Sequence, residues 1–320
     1  MNPRLIRACA LIAVAPLAVA ACGADSDSNE QDAEATSAAD DSSSTEITVG
    51  GPTFTEAAIM VELYRAVLED AGYSVTVQTA DSREVYAPAL QRGEIDVVPD
   101  YLGGITEYIN RDINGPDADP VATADVEGTL DVLQDLGEEF GIVALEPSGA
   151  TNQDAFFVTE QFASDNGVTT LSGLAGLGEP VVLAATEECP ERFTCQVGLE
   201  EVYGLTVEEV LPLGFGSPQA KQAVVDGNAV LGLTGTTDGT LPDLGLVLLQ
   251  DDQNWQPAQN LTPVLAPDLE EESALVEALN RLSDELTTED LTQLNLRVDQ
   301  DREKAEDVAN DYLEEKGLIG

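Results

Sequence analysis

Four cysteines, no histidine and sixty-one carboxylates set the chemistry open to this chain of 320 residues. The missing histidine removes the usual general base, the proton shuttle and the commonest metal ligand together. No G-x-S-x-G turn raises a serine nucleophile, so hydrolysis by nucleophilic attack has little to start from. A pair of carboxylates acting on a sugar stays open as an alternative in so acidic a chain. Cys189 and Cys195 bracket Pro190-Glu191-Arg192-Phe193-Thr194, and outside the cell a pair this close is expected to be oxidised. The loop is short, so the bond adds roughly 2 kcal/mol by the chain-entropy argument. A metal would need more ligands than two thiols, and no metal or other cofactor is expected.

The charge balance bounds the partners. Thirteen basic residues against 61 acidic ones leave a formal charge of -48, which repels phosphate backbones and anionic membrane surfaces and excludes nucleic acid. Such an excess strains a compact state at low salt. The Debye length falls from about 10 Å at 0.1 M to about 3 Å at 1 M, so a saline exterior is the expected setting. A calcium-dependent surface protein or sensor is a rival reading, but the acidic tracts lack the Asp-x-Asp-x-Asp-Gly spacing of a compact calcium loop.

At the N-terminus, Arg4 and Arg7 precede an apolar stretch over 8–21, too short to span a bilayer and ending Val19-Ala20-Ala21-Cys22-Gly23. This ending resembles a bacterial lipobox. Residues 1–21 are read as a leader, Cys22 as the lipidated first residue, and 22–45, acidic and without aromatic or basic residues, as a disordered tether.

The elements behind these residues alternate. Residues 46–51 alternate as a strand; Thr53 and Glu56 stand three apart as a capping box; Ile59, Leu63, Val67 and Leu68 then recur at helical spacing until Gly72. A strand over 74–78, a helix over 83–92 and a strand over 95–98 complete an α/β layer. The same grammar resumes with a helix over 126–140 and strands near 142–145, 155–158 and 181–184. A helix opens at Ser217-Pro218, where Ser caps and Pro takes the first position, and strands follow over 229–233, 245–250 and 261–265. Three acidic helices close the chain, over 270–285, 288–297 and 302–316.

Several stretches resemble the substrate-binding proteins of glycine betaine/choline/osmoprotectant ABC importers. They are residues 50–56 with Leu63 and Gly72-Tyr73; Gly93-Glu94-Ile95-Asp96-Val97; Pro99-Asp100-Tyr101-Leu102-Gly103; residues 152–158; Tyr203-Gly204-Leu205; and Thr236-Thr237-Asp238-Gly239. Together, in this order, they cover nearly everything from 46 to about 265. The resemblance implies a two-lobed type II periplasmic-binding-protein fold, with two crossover segments and a ligand cleft between the lobes. On this chain the crossings are expected near 101–105 and 234–239, giving lobe one as 46–103 plus 239–320 and lobe two as 104–238. It also implies a monomeric carrier, not an enzyme, on the extracytoplasmic face of the membrane. The carrier would be held there only by its lipid and would deliver a small osmolyte to an ABC permease and its ATPase.

A betaine-like ligand has a quaternary ammonium, held by aromatic faces, and a carboxylate, which takes cations or amide donors. For the carboxylate, the N-terminus of the helix near Thr53 offers free N–H groups, with the hydroxyls of Thr53 and Thr55 and the fork of Arg83. For the cation, Tyr101 lies where the family places a cage aromatic, with Phe54 and Phe193 as further candidates. Asn152 and Gln153 match a strand entry facing the cleft, and Thr236, Thr237 and Asp238 the second crossing. Family members with a full cage carry a Tyr before the Thr-Asp-Gly and more aromatics after the Asp-Asp turn. Here Leu233-Thr234-Gly235-Thr236 and Gln256-Pro257-Ala258-Gln259-Asn260 stand in those places. The cage is depleted, which leaves another polar solute, such as an amino acid, as the alternative ligand.

Overall fold

The structure, a computed structural model, describes residues 45–320 apart from Thr53 and Asp81. The expected leader, the lipidation site Cys22 and all but the last residue of the tether lie outside the described residues, as does the site candidate Thr53.

Two five-stranded sheets organise the chain, and they share one plan. In the first, β2 (Ser74–Thr79), β1 (Glu46–Gly51), β3 (Val97–Tyr101), β10 (Leu261–Leu265) and β4 (Val143–Ala144) lie in that order, with β1 parallel to both neighbours and β10 antiparallel to both of its own. In the second the order is β7 (Val207–Pro212), β6 (Val181–Ala185), β8 (Leu231–Gly235), β5 (Asp154–Thr159) and β9 (Leu246–Leu249), with β6 parallel and β5 antiparallel to both neighbours. Period-two alternation gives each sheet two apolar faces. Ile47, Val49 and Val97 point to one core of the first sheet, and Val98 and Val264 to the other. In the second sheet, Phe156 and Val158 face one core and Phe157 the other.

Helices cover all four faces. On the first sheet, α1 (Thr55–Asp70), α9 (Ser273–Glu285), α10 (Thr288–Asp299) and α11 (Ala305–Lys316) pack on one side. On the other side lie α2 (Arg83–Gln91), α3 (Leu102–Asn114) and α4 (Val126–Phe140). On the second sheet, α5 (Glu160–Asn166), α6 (Leu171–Ala175) and α7 (Gly198–Glu201) share one core, and α8 (Pro218–Val225) takes the other. The Ser217 cap of α8 is made as expected, its Oγ accepting from the Ala220 N–H at 3.0 Å.

The lobes form a discontinuous pair, but the chain changes sheet later than expected. It leaves the first sheet after β4 and returns to it with β10, so the crossings run over 145–153 and 250–260 instead of 101–105 and 234–239. The reason is local. Leu102, Ile105 and Ile109 recur at helical spacing and turn the chain back onto the first sheet as α3, where all three are buried with α2 and α4. Lobe one is therefore built from 46 to about 150 and from about 258 onward, and lobe two from the stretch between. The strand β7 was also absent from the sequence reading, because Glu208 and Glu209 interrupt its apolar alternation. It is an edge strand, paired on one side only, where charge is well tolerated. Cys189 and Cys195 are bonded, with Cα atoms 5.2 Å apart, and both are fully buried in lobe two.

Candidate ligand-binding cleft

The two crossings run side by side and antiparallel. Thr151 bridges Asn260, the Asn152 N–H donates to the Gln259 carbonyl at 3.1 Å, and the Leu261 N–H to the Ala150 carbonyl at 2.9 Å. Two expected ligand residues are spent on this hinge. Gln153 Nε2 donates to the Pro257 carbonyl at 2.8 Å, and Thr236 Oγ1 donates to the Thr151 carbonyl at 3.0 Å while accepting from the Gln153 N–H at 3.1 Å.

The lobe-one wall is built on a buried ion pair. Asp100, the last residue but one of β3, has its side chain 2% exposed, and Arg83, the first residue of α2, reaches it through Nη2 at 2.6 Å and Nε at 3.1 Å. Tyr86 donates its hydroxyl to the same carboxylate at 2.6 Å, as does the Tyr101 N–H at 2.7 Å. Burial alone would lower the Arg83 pKa, but the charge and hydrogen bonds of Asp100 outweigh it and raise that pKa above its ordinary value. Arg83, Tyr101, Tyr108 and Phe54 line one hollow of this wall together. Arg83 is thus a held group whose fork is already engaged by Asp100.

Between the lobes lies a second cavity, which shares Phe54 with the first. Lobe one contributes Phe54, Thr55, Glu56, Asn295 and Asp299; lobe two contributes Phe215, Lys221, Thr237 and Asp238; Asn152 enters from the hinge. Glu56, expected as the return partner of a capping box, turns into this cavity instead. It is 4% exposed and accepts from Tyr101 Oη, from Asn152 Nδ2 at 2.9 Å, from Thr237 Oγ1 at 2.6 Å and from Asn295 Nδ2 at 2.5 Å. Burial, with Glu56 alongside, holds the Tyr101 phenol well above its ordinary pKa. Asn152 can come this close because Gly235 has no Cβ to meet its Oδ1.

Asp238 is already partnered. Lys221 Nζ lies 2.6 Å away, and the hydroxyls of Thr234 and Thr240 donate to it at 2.6 and 2.7 Å. Burial raises its pKa, but Lys221 and the two threonines prevail and lower it. Thr55 Oγ1 donates to Asp299 at 2.7 Å. The N-cap of helix α1 is Phe54, whose side chain makes no capping bond.

Phe193 is not brought to this cavity. Its ring is 53% exposed and meets Trp255 edge-on, with ring centres 6.4 Å apart, while its carbonyl accepts from Trp255 Nε1 at 3.1 Å. Trp255 in turn stacks on Phe156 at 5.9 Å in the lobe-two core. On this lobe Arg192 Nη2 reaches Asp154, at the start of β5, at 2.8 Å. Here burial prevails over the arginine, and the Asp154 pKa is raised. The sequence reading missed Glu56, Asp100, Phe215, Lys221 and Asn295. Of these, Phe215 carried a signal: an aromatic between Gly214 and Gly216, in a turn.

Comparison with known proteins follows the same lines. The glycine betaine-binding protein YehZ of Escherichia coli is 28% identical over 284 residues, covering 85% of this chain and 90% of that protein. A glycine-betaine-binding protein of Pseudomonas aeruginosa is 26% identical over 286 residues, covering 85% and 88%. The ligand-free structure of Escherichia coli YehZ superposes with a TM-score of 0.71 at 26% identity, covering 86% of this chain and all of that one. A glycine betaine/carnitine/choline ABC transporter structure gives a TM-score of 0.75 at 19% identity, over 87% of this chain and all of that one, and shares the fold. The family model for the substrate-binding domain of ABC-type glycine betaine transport systems matches residues 45–315. With two lobes, a paired hinge and a cleft between them, this chain belongs to that family, a family of extracytoplasmic solute-binding proteins of ABC importers and not of enzymes.

Proposed function

We propose that this protein captures glycine betaine or a closely related quaternary amine between its lobes and delivers it to an ABC permease and its ATPase. It acts as a monomer held at the extracytoplasmic face of the cell membrane by a lipid on Cys22, and performs no chemistry on its cargo. One observation carries the reading of the ligand. Phe54 of lobe one and Phe215 of lobe two, 48% and 47% exposed, line the same cavity, together with Glu56, Asp238 and Asp299 against a single ammonium, Lys221. A quaternary ammonium offers no conventional donor and is held by aromatic faces in a negative field. Tyr101, in the neighbouring hollow with Arg83 and Phe54, supplies a further ring. The N-terminus of α1, where Thr55 is the first residue, suits the carboxylate. Asn152, Thr237 and Asp238 frame the far side, while Gln153 and Thr236 support the hinge and Phe193 steadies Trp255.

A second reading, an amino acid as cargo, draws on the hydroxyls and amides of the same cavity: Thr55, Thr237, Thr240, Asn152 and Asn295. Calorimetry on the compact unit 43–320, at high and moderate salt, separates the two. Glycine betaine, choline and proline betaine are expected to bind, and Phe54→Ala and Phe215→Ala each to lose about 0.5–2 kcal/mol of that binding. Binding of an amino acid with silence from every quaternary amine replaces the first reading by the second.

A further inference from the structure

We propose that Glu56 is a positioning residue that latches the two lobes together and fixes the Tyr101 ring at the lobe-one wall. Its carboxylate gathers four donors from four parts of the fold, 45 to 239 residues away along the chain. Tyr101 and Asn295 belong to lobe one, Asn152 to the hinge, and Thr237 to lobe two, in the turn after β8. All four are neutral, so the charge is balanced by hydrogen bonds alone. A buried carboxylate depends on keeping such bonds. Opening the lobes withdraws Thr237 and uncovers the group; closing them restores the fourth bond and expels water. The same oxygen that takes the Tyr101 hydroxyl takes the Asn152 amide, so the ring at the wall and the hinge strand are set by one atom. Lys221, which lines the same cavity, stays with Asp238 and Thr240 and leaves Glu56 to its neutral donors.

This latch rests on the lobes being the moving parts of a carrier, but not on the identity of the cargo, so the test uses no ligand. Peptide-resolved amide hydrogen exchange on the full-length chain is compared for the wild type, Thr237→Val and Glu56→Gln. Valine keeps the shape of Thr237 and removes only its donor, so it guards against a Glu56 variant that does not fold. Both variants are expected to speed exchange in the segments facing the cavity, 52–58 and 234–240, by about tenfold or more, as loss of a bond to a charged group implies. Exchange at 181–185 and 275–282, in the two remote cores, is expected to stay as in the wild type. Unchanged exchange at the cavity in both variants overturns the latch. A uniform rise across all segments does so as well, since it marks a residue that only supports the fold. Failure here leaves the calorimetric assignment of the cargo untouched.

Discussion

Each lobe carries an arginine–aspartate ion pair, and the two stand in unlike surroundings. On lobe one, Arg83 binds Asp100 through two nitrogens, and two further donors complete the carboxylate. On lobe two, Arg192 makes one contact to Asp154, and the arginine side chain is itself 39% exposed. The protonation behaviour separates them in the same sense: the first pair overcomes burial at Arg83, while the second fails to do so at Asp154. Lobe two gains its rigidity nearby from a covalent bond. The Cys189–Cys195 loop presents the Phe193 and Thr194 carbonyls to Trp255 and Gln256 of the second crossing, at 3.1 and 2.9 Å. Lobe one thus holds its wall by electrostatics in a buried network, and lobe two by a staple. A buried pair draws its worth from complete hydrogen bonding, and a pair with one half-exposed partner and a single contact has less to draw on.

Three variants press on this contrast. Arg83→Ala leaves Asp100 buried without its counter-charge and is expected to destabilise the protein by about 3 kcal/mol, measured by denaturant unfolding; a loss below 1 kcal/mol would make the two walls equivalent. Replacing Cys189 and Cys195 by Ser is expected to cost about 2 kcal/mol, with the loss of protection concentrated in 186–200 and 251–257. Equal loosening of lobe one would deny the staple its local role. Arg192→Ala is the mildest, under about 1 kcal/mol near neutral pH. Its signature lies in the pH dependence. The folded Asp154 pKa is above the ordinary value of 3.8, so over the interval between the two the folded state holds the extra proton and stability falls as pH rises. Removing Arg192 raises that folded pKa further and deepens the fall, which a melting series from pH 3 to 7 would register. A shallower slope in the variant would reverse the assignment of the weaker wall.

Much of the fold was legible because each sheet is buried on both faces and its strands are short, largely apolar runs, as at 46–51, 181–185 and 261–265. The disulfide was legible from the short spacing of Cys189 and Cys195 together with an expected setting outside the cell. The lobe boundary was not. The resemblance drew attention to Tyr101-Leu102-Gly103 as a crossing, although the helical spacing of Leu102, Ile105 and Ile109 already argued for a helix continuing in lobe one. The site divides likewise. Residues with a chemical motive for facing a ligand, such as Phe54 and Tyr101, do line the hollows at the cleft. What sequence hides is where polar groups find one another. Glu56 looks like a cap, Arg83 like a free fork and Asp238 like a free acid, yet each is defined by a partner 17 to 239 residues distant.

The pairing of the two crossings has a mechanical meaning. Two strands joined by Thr151–Asn260 and by bonds to either side act as a door hung on two pins rather than on one. A single connection would let lobe two swivel and tilt; a pair laced together suppresses the swivel and leaves one arc of travel. Phe54 and Phe215, which line one cavity from opposite lobes, stand on the two sides of that arc.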